Sequence, residues 1–306
     1  MEDSTVPHFP SEIECMIFEI AARSAQPCVV ERINLLLVPK RTQHWVERII
    51  YRTFLHRPPS TGLDQLVPKE AASPVPSSKY HLIRRLYLVG AKDNEESFIQ
   101  SMLLGCHNLT VLSLLTANGP CASLIFNFIL GGNLPLLERL SINMHMVSKD
   151  LYSGLNHPSY LIARALGSLT HLELVGSPPY SPTLEMCSFI AHLPNLTHLN
   201  LLGFNDISPS IVTTILSSSL GPRLKVLTMI KFYLGDSDAR KFECVDRYEE
   251  MGVDDIRVVC LKQRVRAYVQ DFLDEACDIG IGTWKFAEDI IEDRKLNTGG
   301  DARVWR

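Results

Sequence analysis

A spaced leucine pattern constrains this chain more than any other feature. Leu-x-x-Leu-x-Leu occurs as Leu109, Leu112, Leu114, as Leu169, Leu172, Leu174 and as Leu196, Leu199, Leu201. Conservative versions are Ile83, Leu86, Leu88, then Leu137, Leu140, Ile142, then Leu224, Leu227, Met229, with a weaker seventh in Ile256, Val259, Leu261. The middle residues Leu86, Leu112, Leu140, Leu172, Leu199, Leu227 and Val259 lie 26, 28, 32, 27, 28 and 32 residues apart. Each copy predicts a short strand with one apolar side. A single copy cannot bury that side, so neighbours must stack into one continuous core.

Between the copies lie apolar segments with helical spacing: Phe98 to Leu104, Leu124 to Leu130, Tyr160 to Leu166, Leu184 to Leu193 and Ile211 to Leu220. Gly105, Gly131-Gly132, Gly167, Pro194 and Gly221-Pro222 follow them as stops. Strands alternating with helices predict an α/β fold, an irregular leucine-rich-repeat solenoid of right-handed connection. Its parallel sheet would line the concave face and its helices the convex face, with loops bulging at 143–159 and 234–254. The Asn or Cys expected three residues after the last leucine is replaced by Ala117, Ser177, Phe204 and Phe232. The turns therefore need another way to satisfy their backbone.

Strand alternation also predicts which side chains point outward. One row is Arg85, Val111, Arg139, His171, His198, Val226, Val258; the next is Tyr87, Ser113, Ser141, Glu173, Asn200, Thr228, Cys260. Arg85, Tyr87, Arg139, His171, Glu173, His198 and Asn200 are the expected contacts to a target protein, since Arg, His, Tyr and Asn suit protein recognition. Two histidines beside a carboxylate form a set that zinc can use. Polar residues on a solvated face are the plainer reading, and no metal is assigned.

The chain divides into five parts: a helical segment over 5–56, a linker over 57–79, the repeat array over 80–262, a helical cap over 263–294 and a frayed tail over 295–306. The linker carries Pro58, Pro59, Pro68, Pro74 and Pro76. In the cap, Val265, Val269, Phe272, Leu273, Trp284 and Phe286 are expected to close the open end of the core. In the first segment Ile13, Met16, Ile17, Ile20 and Ala21 make one apolar helix face after Pro10. Ile33 to Val38 forms a second run, and Trp45, Val46, Ile49 and Ile50 mark a third.

Here the residues resemble a known family. Phe9-Pro10-Ser11-Glu12-Ile13, then Ile17-Phe18-Glu19, then Asn34-Leu35-Leu36-Leu37-Val38-Pro39-Lys40-Arg41 and Trp45 resemble an F-box. Together with the linker and the repeats, the layout is similar to the F-box/leucine-rich-repeat proteins of mushroom-forming fungi. The resemblance covers nearly the whole chain, with Phe9 where Leu is usual and Pro39 where a small residue is usual. It implies a three-helix unit docking on a Skp-family adaptor, and through it on a cullin, by way of Phe9, Pro10, Ile13, Ile17, Leu36, Val38 and Trp45. It thereby implies a non-catalytic substrate receptor of an SCF-type ubiquitin ligase. The same residues could instead hold a helical cap on a free-standing scaffold or inhibitor.

Composition narrows the rest. Apolar residues are 46% of the 306 and charged residues 21%, enough to bury a large core. A net charge of -4 and a pI near 6.2, with no basic stripe, argue against a nucleic-acid partner. The apolar runs are too short to span a bilayer, and Met1-Glu2-Asp3-Ser4 lacks a secretory layout, so the expected setting is cytoplasm or nucleus without a membrane partner. The eight cysteines form no Cys-x-x-Cys pair, and most of them read as core residues. Gly280-Ile281-Gly282 lacks a strand before it, and no nucleophile elbow, phosphate loop or His-Glu-x-x-His occurs. Asn108-Leu109-Thr110 and Asn195-Leu196-Thr197 match the glycosylation pattern but open repeat strands, where the match is read as accidental. Neither an enzyme nor a cofactor is expected.

Overall fold

The computed structural model describes residues 9–24, 40–56, 75–90, 95–115, 120–143, 159–176, 184–203, 207–218, 221–233, 243–244, 253, 255–264 and 282–297. Within them the strands are β1 (Thr53–His56), β2 (Arg85–Val89), β3 (Val111–Leu115), β4 (Arg139–Asn143), β5 (His171–Val175), β6 (His198–Leu202), β7 (Val226–Tyr233), β8 (Glu243–Cys244) and β9 (Val258–Arg264). The helices are α1 (Ser11–Ser24), α2 (Lys40–Ile50), α3 (Glu96–Gly105), α4 (Pro120–Leu130), α5 (Ser159–Ala165), α6 (Leu184–Ala191), α7 (Pro209–Ser217) and α8 (Thr283–Asn297).

The strands form one open sheet in the order β1-β2-β3-β4-β5-β6-β7-β9-β8. Every pair is parallel except the two-residue β8, which runs antiparallel at the edge. Strands β2 to β7 stand in chain order with a helix before each next strand, an arrangement compatible with a solenoid. The copies align in register: Leu86 beside Leu112, Leu112 beside Leu140, Leu140 beside Leu172, Leu172 beside Leu199, Leu199 beside Leu227. These leucines join Ile99, Met102, Ile125, Phe126, Ile162, Ile190 and Ile215 of α3 to α7 in one dry core. Cys106, Cys187 and Cys260 belong to that core, and burial pushes the Cys106 thiol up to about 12.

Side-chain donors at the strand entrances meet backbone carbonyls of the preceding unit, while Ala117, Ser177 and Phe204 at the strand exits lie outside the described residues. Asn108 Nδ2 donates to His81 O at 3.0 Å, Ser168 Oγ to Leu137 O at 2.9 Å and Asn195 Nδ2 to Gly167 O at 2.5 Å, while Arg223 Nη1 donates to Pro194 O. Each donor immediately precedes the first leucine of its copy. Two residues on, Thr110 and Thr170 bond Arg84 O and Glu138 O. Side chains at equivalent positions thus tie four of the units to the one before them. At the exit of β6, Gly203 has φ +77°, and a Cβ there would stand 2.6 Å from Gly176 O. No side chain fits.

The structure departs from the sequence expectations in four places, three of them in or before the sheet. The sheet starts earlier than the leucine pattern announces: Phe54 of β1 lies in the main core, and β1 pairs with β2. With only four residues and no repeat before it, β1 gives no periodic signal. The linker also ends earlier, because Val75 packs on the core and residues 77–82 form a 3₁₀ turn that buries Tyr80. Finally, the weak seventh copy is turned over. Leu227 registers with Val258, so Val258 and Cys260 enter the main core while Val259 and Leu261 face the other way. Four consecutive apolar residues, Val258 to Leu261, carry no alternation from which the face could be read.

The C-terminal helix departs too. Instead of closing the end of the core, α8 lies on the open face of the sheet, opposite α3 to α7. Ala287 and Ile291 pack there with Leu202, Val226, Ile230, Val259 and Leu261, flanked by Trp284, Phe286 and Ile290. Arg294 Nη1 secures it to Val258 O at 2.6 Å. Val265, Val269, Phe272 and Leu273 lie outside the described residues, as do 298–306. Among the described residues no helix is long and apolar enough to cross a membrane.

Candidate functional site

Two surfaces carry the residues singled out from the sequence. The first is the open face of the sheet. Its register sets Arg85 beside Val111, Val111 beside Arg139, Arg139 beside His171 and His171 beside His198. The next row sets Tyr87, Ser113, Ser141, Glu173, Asn200 and Thr228 side by side. Neighbours in a row are about 4.8 Å apart at the backbone, so side chains can bond laterally.

They do so in the second row. Ser141 Oγ donates to Glu173 Oε1 at 2.7 Å, Asn200 Nδ2 donates to Glu173 Oε2 at 2.6 Å, and Thr228 Oγ1 donates to Asn200 Oδ1 at 2.8 Å. This polar ladder spans β4 to β7. It explains how Asn200 and Thr228 can be fully buried without loss of bonding.

In the first row the imidazoles of His171 and His198 stack, centroids 4.1 Å apart and planes 8° from parallel. Trp284 of α8 stands edge-on to both, at 5.4 and 5.6 Å. His198 Nε2 lies 3.1 Å from Glu288 Oε1 of α8, and since a carboxylate only accepts, that nitrogen carries the hydrogen. The Thr197 hydroxyl, 2.8 Å from Nδ1, completes the ring's bonding. Burial, the neighbouring imidazole and the charges of Arg139 and Lys225 bring the pKa of His171 down to about 3. Burial lowers that of His198 as well, against the opposing pull of Glu288. Both shifts favour the neutral rings, and the stack fits that, because two imidazolium rings in contact would repel. Among the described residues no group of three His, Cys, Asp or Glu is placed to hold a metal ion.

The helix therefore alters what this face can do. His198 and Asn200 are covered and cannot meet a target directly, and Tyr87 is also buried. Arg85, Arg139, His171 and Glu173 keep part of their surface. A small pocket of about 50 Å³ remains where the first turn of α8 meets the sheet, lined among others by Tyr87, Ser113, Arg139, His171, Glu173 and Trp284. Trp284 and Glu288 were not expected on this face, whereas Ser113 was placed in its outward row but not among the target contacts. Trp284, Ala287 and Ile291 do show a helical i, i+3, i+7 spacing in the sequence, but nothing in that spacing says which surface they cover.

The second surface is α1. It packs against α2, yet its apolar face is largely in solvent: Phe9 is 63% exposed, Ile13 41%, Met16 57%, Ile17 47% and Ile20 63%. Pro10 is exposed as well, and its carbonyl accepts the amides of Ile13 and Glu14, starting the helix. On α2, Trp45 is half-buried while Val46 and Ile50 are buried, and Lys79 Nζ bonds Glu47 Oε2 at 2.6 Å. Leu36 and Val38 lie outside the described residues. No protein-family model and no curated protein matches the sequence.

Proposed function

We propose that this chain is the non-catalytic substrate-recognition subunit of an SCF-type ubiquitin ligase. In this reading it is an F-box/leucine-rich-repeat protein of the type found in mushroom-forming fungi. Its N-terminal helices dock on a Skp-family adaptor, and through that on a cullin. The sheet is the concave face of a leucine-rich-repeat solenoid and presents Arg85, Arg139, His171 and Glu173 to a target protein.

The observation that carries the reading is the exposed face of α1. Five large apolar side chains on and just before one 14-residue helix, all more than two-fifths exposed, form a patch of the kind that marks a protein interface. They coincide with the residues of the F-box resemblance, Phe9, Ile13 and Ile17. The cost of leaving them in water is offset when an adaptor covers them.

A second reading has its own support. Helix α2 is tied to the sheet through β1 and through the Lys79–Glu47 ion pair, as a cap on a free-standing scaffold would be. It does not account for α1. The test is co-purification of the full chain with a Skp-family adaptor, wild type against Ile13→Ser/Ile17→Ser. Complex formation lost in the variant supports the receptor; absence of any complex with wild-type protein leaves the scaffold.

A further inference from the structure

The pocket beside α8 holds a polar atom for which the fold itself has no use. Ser113 is 2% exposed, lines the pocket, and its Oγ has no hydrogen-bond partner. Its row neighbour Ser141 spends its own hydroxyl on Glu173. A buried hydroxyl left unpaired is costly, and native folds keep few of them.

The wall facing Ser113's strand is a helix start. Thr283 and Trp284 line the same pocket, and among the described residues the first amide bonded at the start of α8 is that of Phe286, to Gly282 O at 3.2 Å. The amides of residues 283–285 thus precede the helix's own hydrogen-bond ladder, at its positive end. The first turn holds no acidic residue to answer that charge. Arg139 lines the pocket too, and the charges of Arg139 and Lys225 act on His171 beside it. Hydroxyl, helix start and guanidinium are all donor groups, the Arg139 guanidinium holding another interaction as well, and donors are the chemistry that binds an anion.

We propose that this pocket receives a carboxylate side chain from an acidic segment of the bound protein. The inference rests on the reading that this face binds a target, and it names the chemistry of that target. The volume of about 50 Å³ accommodates a few water molecules or one carboxylate head, not a cofactor ring. Glu173 lines the pocket as well and opposes an anion. Both its oxygens already accept hydrogen bonds, from Ser141 and Asn200, which hold it in the polar ladder. Its opposition gives the test a sign.

The experiment titrates the full chain with capped tripeptides bearing a central aspartate, asparagine, lysine or phosphoserine, following the indole N–H of Trp284, which is assigned by its loss in Trp284→Phe. The aspartate peptide shifts this signal saturably and the asparagine and lysine peptides do not. Arg139→Gln and Ser113→Ala each weaken binding at least fivefold, Ser113→Ala without lowering Tm because its hydroxyl makes no bond in the free protein. Glu173→Gln tightens binding severalfold. No saturable shift with aspartate, an equal or larger shift with lysine, a shift with phosphoserine alone, or weaker binding in Glu173→Gln overturns the proposal. The adaptor assay is separate: adaptor binding without aspartate binding removes this inference and leaves the receptor reading, and the converse result does the reverse.

Discussion

The first and last helices of the described chain are both amphipathic, and they treat their apolar faces oppositely. In α8, Ala287 and Ile291 are 0% and 4% exposed because the sheet offers them an apolar landing made by Leu202, Val226, Ile230, Val259 and Leu261. In α1, Ile20 is 63% exposed, and Phe9 just before the helix likewise. The contrast teaches that apolar patterning predicts a helix face but not its partner. The face of α8 is satisfied within the chain, so α8 is part of the fold rather than a movable cover. Among the described residues the face of α1 is left largely exposed, and the external partner proposed above would cover it.

The same substitution placed in each helix probes this difference most strongly. Ile291→Asp buries a carboxylate among apolar side chains and is expected to lower unfolding free energy by about 3 kcal/mol or more, while Ile20→Asp costs below about 0.5 kcal/mol. Urea unfolding of the two variants measures both. Comparable losses would erase the distinction between the helices.

Acid sharpens the comparison next, because the histidine pair lies under α8, where Trp284 and Glu288 meet it. His171 has a folded pKa of about 3, while an unfolded histidine titrates near 6.5. Below about pH 6.5 the unfolded chain takes up a proton that the folded chain refuses, so stability is complete above that pH and declines toward pH 3. His198 is shifted in the same direction and adds to the loss. For His171 alone the expected loss at pH 5 is about 2 kcal/mol relative to neutral pH. His171→Gln should flatten the dependence of the urea midpoint between pH 7.5 and 5; an unchanged slope would show that the stack is not what acid attacks.

The smallest effect belongs to Glu288, whose side chain is 44% exposed where it meets His198. Glu288→Gln keeps an acceptor for His198 Nε2, and solvent screens the charge that is removed, so the loss should stay below about 1 kcal/mol. A larger drop would mean that α8 is held by this contact rather than by Ala287 and Ile291.

Much of the sheet was legible in the leucines. The copies at Leu86, Leu112, Leu140, Leu172, Leu199 and Leu227 are strands in parallel register, since an apolar residue at every third and second step leaves few ways to bury it. The lateral rows followed from alternation alone, including the pairing of His171 with His198. What alternation could not supply was the covering of those rows. The seat of α8 depends on where a helix more than eighty residues beyond His198 comes to rest, and Trp284 and Glu288 carry no local mark of it. The reversal of Val258 to Leu261 escaped for a different reason: with four apolar residues in succession, either face could be the inner one. Asn108 and Asn195 matched a glycosylation pattern in the sequence, yet their side chains bond the preceding unit's carbonyls and serve the turns.

Whether α1 is exposed in order to be covered is decided most directly by size-exclusion chromatography with light scattering of the full chain mixed with a Skp-family adaptor, in parallel with Ile13→Ser/Ile17→Ser. A one-to-one complex is expected for the wild type and separate peaks for the variant, with an unchanged Tm. A wild-type chain that elutes apart from the adaptor, or a variant that binds it equally well, would contradict the receptor reading.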